Sequence, residues 1–272
     1  MLKRVRDLMR PNLITCPAGT SLSDAVNMLA RYRIHALIVS DPAGLAMGVL
    51  SDFDILAGEW LAAGEGSLAA MRRVTVGELM SPHVPSVDVE ASASDAAERM
   101  RAEHIHRLVV TELERPVGVI TVSDLIGGLA PLASERTLVS QVMSRGIVVC
   151  RATTSITAAA RAMRERRSRS VVVVNSHGRP LGVVTGFDLL PFNGQGDPSQ
   201  PVSLVMHPPC TIHPDATLRA AADLMLSEHA HRLLVVDPAE PDSMPMGLIS
   251  TSDIVLEMAA PGSNWEARRK VK

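Results

Sequence analysis

Apolar positions along this chain follow two alternating rhythms. Over Leu22, Ala25, Val26 and Leu29 they recur at i, i+3, i+4 and i+7, and Leu218, Ala221, Ala222 and Met225 repeat that spacing. This is the period of a helix with one apolar face. Each helical stretch leads into an unbroken apolar run: Leu37-Ile38-Val39, Leu108-Val109-Val110, Val171 to Val174, and Leu233 to Val236. Runs of this length rich in β-branched residues suit strands buried on both faces. Turns rich in Pro and Gly follow, such as Asp41-Pro42-Ala43-Gly44 and Asn175-Ser176-His177-Gly178. A second strand then begins at a glycine, and a last helix begins at a Ser or Thr.

The segments at that glycine share one phrase: GVLSDFD at 48–54, GVITVSD at 118–124, GVVTGFD at 182–188 and GLISTSD at 247–253. The closing aspartates are spaced 124 − 54 = 70, 188 − 124 = 64 and 253 − 188 = 65 residues apart. A period of this size marks one small unit used four times. Each unit opens with Val-x-x-x-Met: Val5 to Met9, Val76 to Met80, Val139 to Met143, Val202 to Met206. A short extended piece comes next, such as Leu13-Ile14-Thr15 or Cys210-Thr211-Ile212. The predicted fold class is therefore α/β (α+β), with four β-α-β-β-α repeats of about 55–60 residues, near the small end of what folds alone. One sheet face of such a unit needs covering, so the repeats are expected to pair, first with second and third with fourth. The expected boundaries are 1–58, 74–130, 137–192 and 200–260 for the repeats, with a helical linker at 59–73 and a basic tail at 261–272.

Composition removes several function classes. The net charge is −2, so no basic excess follows a phosphate backbone, although Arg164 to Arg169 is locally basic. Aromatic residues make up 2%, too few for a base-stacking platform. Nucleic acid is disfavoured. No apolar run approaches the ~18 residues of a membrane span, and the start lacks the apolar stretch of a signal peptide. Cys16, Cys150 and Cys210 form neither a CxxC motif nor an even disulfide framework, which fits a reducing cytoplasm. No nucleophile elbow, metalloprotease motif or phosphate-binding loop of the Walker type is present, so no catalytic residue is assigned and no enzyme is expected.

Candidate chemistry sits in the repeated phrase. Ser51/Asp54, Thr121/Asp124, Thr185/Asp188 and Ser250/Asp253 each have the spacing of a capping box at a helix start. The same geometry suits a ligand. A helix N-terminus favours phosphate, and an ionised Asp is an acceptor-only group that fits paired ribose hydroxyls. The repeated glycine is expected to let a ligand approach the backbone. A second pattern appears in two units only: Glu103-His104-Ile105-His106-Arg107-Leu108 matches Glu228-His229-Ala230-His231-Arg232-Leu233. Arg offers a rigid fork of donors for phosphate. The first unit has His35-Ala36 at this place and the third Arg169-Ser170, so units two and four alternate with one and three. A rival reading places His104 and His106, and His229 and His231, as metal-ligand pairs on one side of a strand. Each pair lacks further ligands, and no metal site is assigned.

The order Val-x-x-x-Met, amphipathic helix, apolar strand and Gly-h-h-Ser/Thr-x-x-Asp resembles the cystathionine beta-synthase (CBS) domain. The resemblance covers nearly the whole chain. Two such domains form a Bateman module, and the four-domain arrangement with Ile105-His106-Arg107-Leu108 and Ala230-His231-Arg232-Leu233 is most similar to the gamma subunits of AMP-activated protein kinase. The resemblance implies that Asp54, Asp124, Asp188 and Asp253 bind ribose hydroxyls. It places Ser51, Thr121, Thr185 and Ser250, with His106, Arg107, His231 and Arg232, on phosphates. Thr15, Ser86 and Thr211 match a position that touches the nucleoside, where the third unit has Val149. The implied ligands are AMP, ADP or ATP, with or without Mg. The expected function is a regulatory sensor that modulates an unknown partner protein, as a single disc or a homodimer. Two alternatives stay open: an assembly module without nucleotide, and a binder of another adenosyl ligand such as S-adenosylmethionine or NAD.

Overall fold

The structure is a computed structural model that describes residues 3–11, 13–57, 73–129, 135–190, 199–240 and 243–259. The linker expected at 59–73 lies outside them but for its last residue, and the tail at 261–272 lies wholly outside.

Among the described residues stand four three-stranded sheets with the orders β1-β2-β3, β4-β5-β6, β7-β8-β9 and β10-β11-β12. In the first, β1 (Thr15–Pro17) runs parallel to β2 (Ala36–Ser40), and β3 (Ala46–Ser51) returns antiparallel. The other sheets repeat this: β4 (Ser86–Asp88), β5 (Arg107–Glu112) and β6 (Arg115–Thr121); β7 (Val149–Arg151), β8 (Ser170–Val174) and β9 (Pro180–Thr185); β10 (Thr211–Ile212), β11 (Arg232–Val235) and β12 (Gly247–Ser250). The parallel pair needs a crossover, and the amphipathic helix supplies it. In the first repeat that helix is Leu22–Tyr32, burying Leu22, Ala25, Val26 and Leu29. Ser21, Ser92, Ser155 and Thr217 cap the four crossover helices by accepting from the backbone N–H three residues on.

The crossover helices end where the chain turns into a left-handed residue: Arg33 (φ 51°), His104 (φ 54°), Arg167 (φ 49°) and His229 (φ 51°). This corrects the picture of His104 and His106 side by side on an extended strand. His104 and His229 mark helix ends, and the left-handed backbone breaks the two-residue alternation that a metal pair would need.

The apolar runs are buried on both faces. Leu37 and Val39 join one core while Ile38, between them, is only 3% exposed on the other side. The last helix forms in repeats one, two and four, as Asp52–Ala57, Val122–Leu129 and Thr251–Met258. In repeat three the described residues at this place form the 3-10 turn Phe187–Leu189, which ends at Leu190 because that residue precedes Pro191 and is extended (ψ 134°).

The chain packs as two compact units, and they do not follow the order of the repeats. One holds residues 1–13, 85–146 and 209–272, and the other residues 14–84 and 147–208. The first thus combines repeats two and four, and the second repeats one and three. Each has its own apolar core built from helix faces of both its repeats: Met100, Leu125, Met225 and Ile254 in one, Leu29, Ile55, Met163 and Leu189 in the other. The opening turns are exchanged. Val5 is fully buried in the core of repeats two and four and Val76 in that of one and three, while Val139 and Val202 divide the same way. Each such valine adds about 1.5–3 kcal/mol of burial to a sheet that is not its own.

The repeated glycine belongs to this exchange. A Cβ at Gly118 would lie 2.5 Å from the Arg10 carbonyl oxygen, and one at Gly48 would lie 2.6 Å from that of Ser81. At Gly182 and Gly247 the corresponding carbonyls are those of His207 (2.9 Å) and Ser144 (2.6 Å). The glycine therefore admits the backbone that follows Val-x-x-x-Met. The expectation that it admits a ligand is corrected: the two halves of the motif clasp each other across repeats.

Candidate functional site

In all four repeats the Ser/Thr and Asp of the phrase close on each other. The Asp Oδ2 accepts from the backbone N–H of Ser51, Thr121, Thr185 and Ser250 at 2.7, 2.9, 2.7 and 2.7 Å. It also accepts from their hydroxyls at 2.6, 2.6, 2.6 and 2.7 Å. One carboxylate oxygen is thus a helix cap throughout. The second oxygen, Oδ1, distinguishes the repeats.

The Asp124 Oδ1 accepts from Arg10 Nε at 2.8 Å, and the Asp188 Oδ1 pairs with His207 Nε2 at 2.9 Å. Among the described residues no side chain forms an ion pair with Asp54 or Asp253. Burial pushes the Asp253 carboxyl above the usual carboxylate range, with the Ser250 hydrogen bonds and the nearby Arg232 charge opposing it in part.

The strand before each phrase is locked to it. The His106 carbonyl accepts from Val122 N–H at 3.1 Å, and the His231 carbonyl from Thr251 N–H at 3.0 Å. Ladder register then puts Arg107 opposite Thr121 and Arg232 opposite Ser250. In the other two repeats Ala36 faces Ser51 and Ser170 faces Thr185. Each guanidinium stem therefore springs from the residue beside a cap hydroxyl, in repeats two and four alone.

The histidines reach the other repeat of their unit. His106 Nδ1 lies 3.0 Å from Ser252 Oγ, and His231 Nδ1 lies 3.1 Å from Ser123 Oγ. The contacts are reciprocal, each joining the residue before one sheet's central strand to the first turn of the other repeat's last helix. The result is a polar cluster of two hydroxyls and two imidazoles at the starts of two helices, with Arg107 and Arg232 next in sequence to the imidazoles. Such a cluster can donate to an anion from several directions.

The unit of repeats one and three has the same layout with other chemistry. His35 meets Phe187 edge-on, with ring centroids 5.1 Å apart, and the Arg169 guanidinium lies 5.8 Å from the Phe53 ring centre. Phe53 and Phe187 hold the places of Ser123 and Ser252. His35 also pairs with the buried Asp52 at 2.8 Å. Rings stand here where the first unit has the hydroxyls of Ser123 and Ser252.

The first-strand residues occupy one equivalent row. Thr15, Ser86, Val149 and Thr211 pair with Ile38, Val109, Val172 and Leu234, and those pair in turn with Val49, Val119, Val183 and Leu248. Thr15, Ser86 and Thr211 thus stand on the first-strand edge of the sheet whose third strand leads into the helix with their own Asp.

Ser123, Ser252, Phe53, Phe187, Asp52, Arg10 and His207 were not among the residues singled out from the sequence. The first five sit in the two variable places of the phrase, where DF, VS, GF and TS already split repeats one and three from two and four. Burial raises all three thiols above their ordinary pKa, with added repulsion from Glu228 at Cys210, so none is an activated nucleophile. Among the described residues no three His, Cys, Asp or Glu side chains converge as metal ligands. No helix among them is long and apolar enough to cross a membrane.

A profile of the CBS domain matches residues 5–59, 76–130, 139–192 and 202–260. This chain belongs to the CBS-domain family, with the four domains that make up two Bateman modules. Among solved structures, MJ1225 of Methanocaldococcus jannaschii, a proposed archaeal homologue of g-AMPK, superimposes with a TM-score of 0.79. It is 19% identical, over 95% of this chain and 100% of that one. A conserved protein from Pyrococcus horikoshii matches with a TM-score of 0.62 at 22% identity over the same shares of the two chains. The uncharacterized protein MJ1404 of Methanocaldococcus jannaschii is 25% identical over 238 residues, 81% of this chain and 54% of that protein. Arabinose 5-phosphate isomerase of Pseudomonas aeruginosa shares 30% identity over 129 residues, 46% of this chain and 38% of the enzyme. The chain spans about half or less of the length of these two relatives.

Proposed function

We propose that this chain is a regulatory adenine-nucleotide binder, with AMP, ADP or ATP as ligand, and that its phosphate-binding centre lies in the unit of repeats two and four. The observation that carries this reading is the reciprocal pair Ser252–His106 and Ser123–His231, flanked by Arg107 and Arg232. Packing alone gives no reason to gather two imidazoles, two guanidinium stems and two hydroxyls at two helix starts, where the macrodipoles favour an anion. The ribose goes to the carboxylate beside it, as the family resemblance implies, and the first-strand Thr or Ser borders the nucleoside. Binding shifts the arrangement of the repeats, and a partner protein reads that shift by linkage. The chain acts as a regulator and not as an enzyme, in the cytoplasm, as a monomer or homodimer.

The test is calorimetry of the full chain with adenosine, AMP, ADP and ATP, each with and without Mg, and with S-adenosylmethionine and NAD as competitors for the reading. Affinity that rises with phosphate number supports the proposal. Heat from S-adenosylmethionine alone moves the assignment to another adenosyl ligand. No heat from any of them leaves the aspartates as helix caps in an assembly module.

A further inference from the structure

The residue after each Val-x-x-x-Met is held in one place by the backbone. Arg10, Ser81, Ser144 and His207 exchange paired N–H···O bonds of 2.9–3.1 Å with Val119, Val49, Leu248 and Val183, the residue directly after the repeated glycine. Their side chains therefore start from equivalent points beside the four aspartates. In two repeats the side chain carries a ring or guanidinium nitrogen that reaches the carboxylate: Arg10 on Asp124 Oδ1 and His207 on Asp188 Oδ1. In the other two it is a serine, opposite Asp54 and Asp253. The oxygen taken is in both cases the one that the helix cap leaves over.

We infer that Arg10 and His207 are built-in occupants of the ribose-accepting oxygens of Asp124 and Asp188, so that Asp54 and Asp253 are the two carboxylates open to a ribose diol. The inference rests on the nucleotide reading above and adds a division of labour among four otherwise repeated sites. Only Asp253 is then both open and in the unit that carries the phosphate donors, which makes repeat four the principal nucleotide site. The latch is a weak competitor by design of its exposure. The Arg10 and His207 side chains are 61% and 68% exposed, while Asp124 and Asp188 are 9% and 12% exposed. A mostly solvated side chain can swing away into water, so it lowers affinity at its site by a modest factor, about fivefold, rather than abolishing binding. A nucleotide at high concentration can still displace it, which gives the chain sites of graded affinity.

The experiment uses the full chain and adenosine as the probe, since adenosine engages the carboxylate without involving the phosphate donors. Arg10→Ser and His207→Ser are each expected to tighten adenosine about fivefold at one site. Asp124→Asn in the Arg10→Ser background should cancel that increase, which ties it to this carboxylate. The transplanted latch Ser144→Arg should weaken adenosine at Asp253 by a similar factor. Thermal melts of the four proteins check that folding is retained. If wild-type protein binds adenosine but Arg10→Ser and His207→Ser bind it equally well or more weakly, the latch is overturned while the nucleotide reading stands. If neither wild type nor any variant binds adenosine or AMP, both fall together.

Discussion

Ser252 and His106 are 146 positions apart in the chain and meet at 3.0 Å. The contact joins repeat four to repeat two, and Ser123 and His231 repeat it in reverse. Phe187 and Phe53 fill the equivalent places in the other unit, against His35 and Arg169. One layout thus carries hydroxyl–imidazole pairs in one unit and aromatic packing in the other. Replacing both serines, Ser123→Phe with Ser252→Phe, should convert the first into the second. Hydrogen bonds to a charged group are worth about 1.5–3 kcal/mol each, so AMP affinity should fall at least about tenfold while adenosine changes little. Calorimetry with the two ligands reads the difference.

Arg232→Ala isolates the phosphate contribution. The guanidinium springs from the residue paired with Ser250, and the proposal assigns it to phosphate rather than to ribose or base. Affinity should fall most for ATP, less for ADP and AMP, and scarcely for adenosine. A uniform loss across all four ligands would place Arg232 in a general structural role.

The clasp of the opening turns can be tested by stability alone. Gly118→Ala drives a methyl group toward the Arg10 carbonyl, 2.5 Å from the ideal Cβ. The backbone must move, and a cost of about 1–3 kcal/mol is expected in urea unfolding. Gly127 lies in the helix Val122–Leu129 with nothing within 4 Å of its Cβ position. Gly127→Ala should therefore stabilise by about 0.5–1 kcal/mol. Equal effects of the two substitutions would remove the clasp as the reason for the repeated glycine.

Asp253 makes a prediction about pH. Burial raises its carboxyl pKa in the folded chain, so the folded state holds the proton more tightly than the unfolded state. An acid raised in this way costs stability above its folded pKa, and the cost fades as the pH falls through that value. Asp253→Asn removes the cost. The substitution should therefore look most favourable near neutral pH, relative to wild type, and lose that advantage on acidification toward the ordinary Asp range of about 3.9. Urea titrations of both proteins across that interval give the difference directly. An advantage that grows on acidification would contradict the buried-carboxylate account.

Much of this arrangement was legible in the sequence, because the repeat copies its punctuation. The Gly-h-h-Ser/Thr-x-x-Asp phrase, the caps before the crossover helices and the His-Arg pairs are local patterns with local causes. The alternation of units two and four with one and three was visible in His106-Arg107 and His231-Arg232. Its meaning, that these repeats share one core, was not, since a helix stripe shows that a face is buried but not against what. The glycine misled for the same reason: a missing Cβ signals a close approach without naming what approaches, and here it is the carbonyl of Arg10 or Ser81. Ser252 and Arg10 escaped notice because their partners lie far away in sequence, and a lone Ser or Arg on a helix or turn carries no periodic signal. His104 was drawn toward a metal pair by spacing on an assumed strand, and its φ of 54° removes that assumption.

The central claim is that the repeated Asp serves a ligand as well as a helix. Calorimetric titration of AMP into Asp253→Asn and wild type, with urea unfolding of the same samples, tests it most directly. An Asn amide oxygen can accept, from the third residue of the capping box, the Ser250 hydrogen bonds that the carboxylate now takes at 2.7 Å. Stability should therefore stay within about 1 kcal/mol of wild type while the tightest AMP site is lost. Unchanged AMP affinity together with a clear drop in stability would show that Asp253 is a helix cap alone.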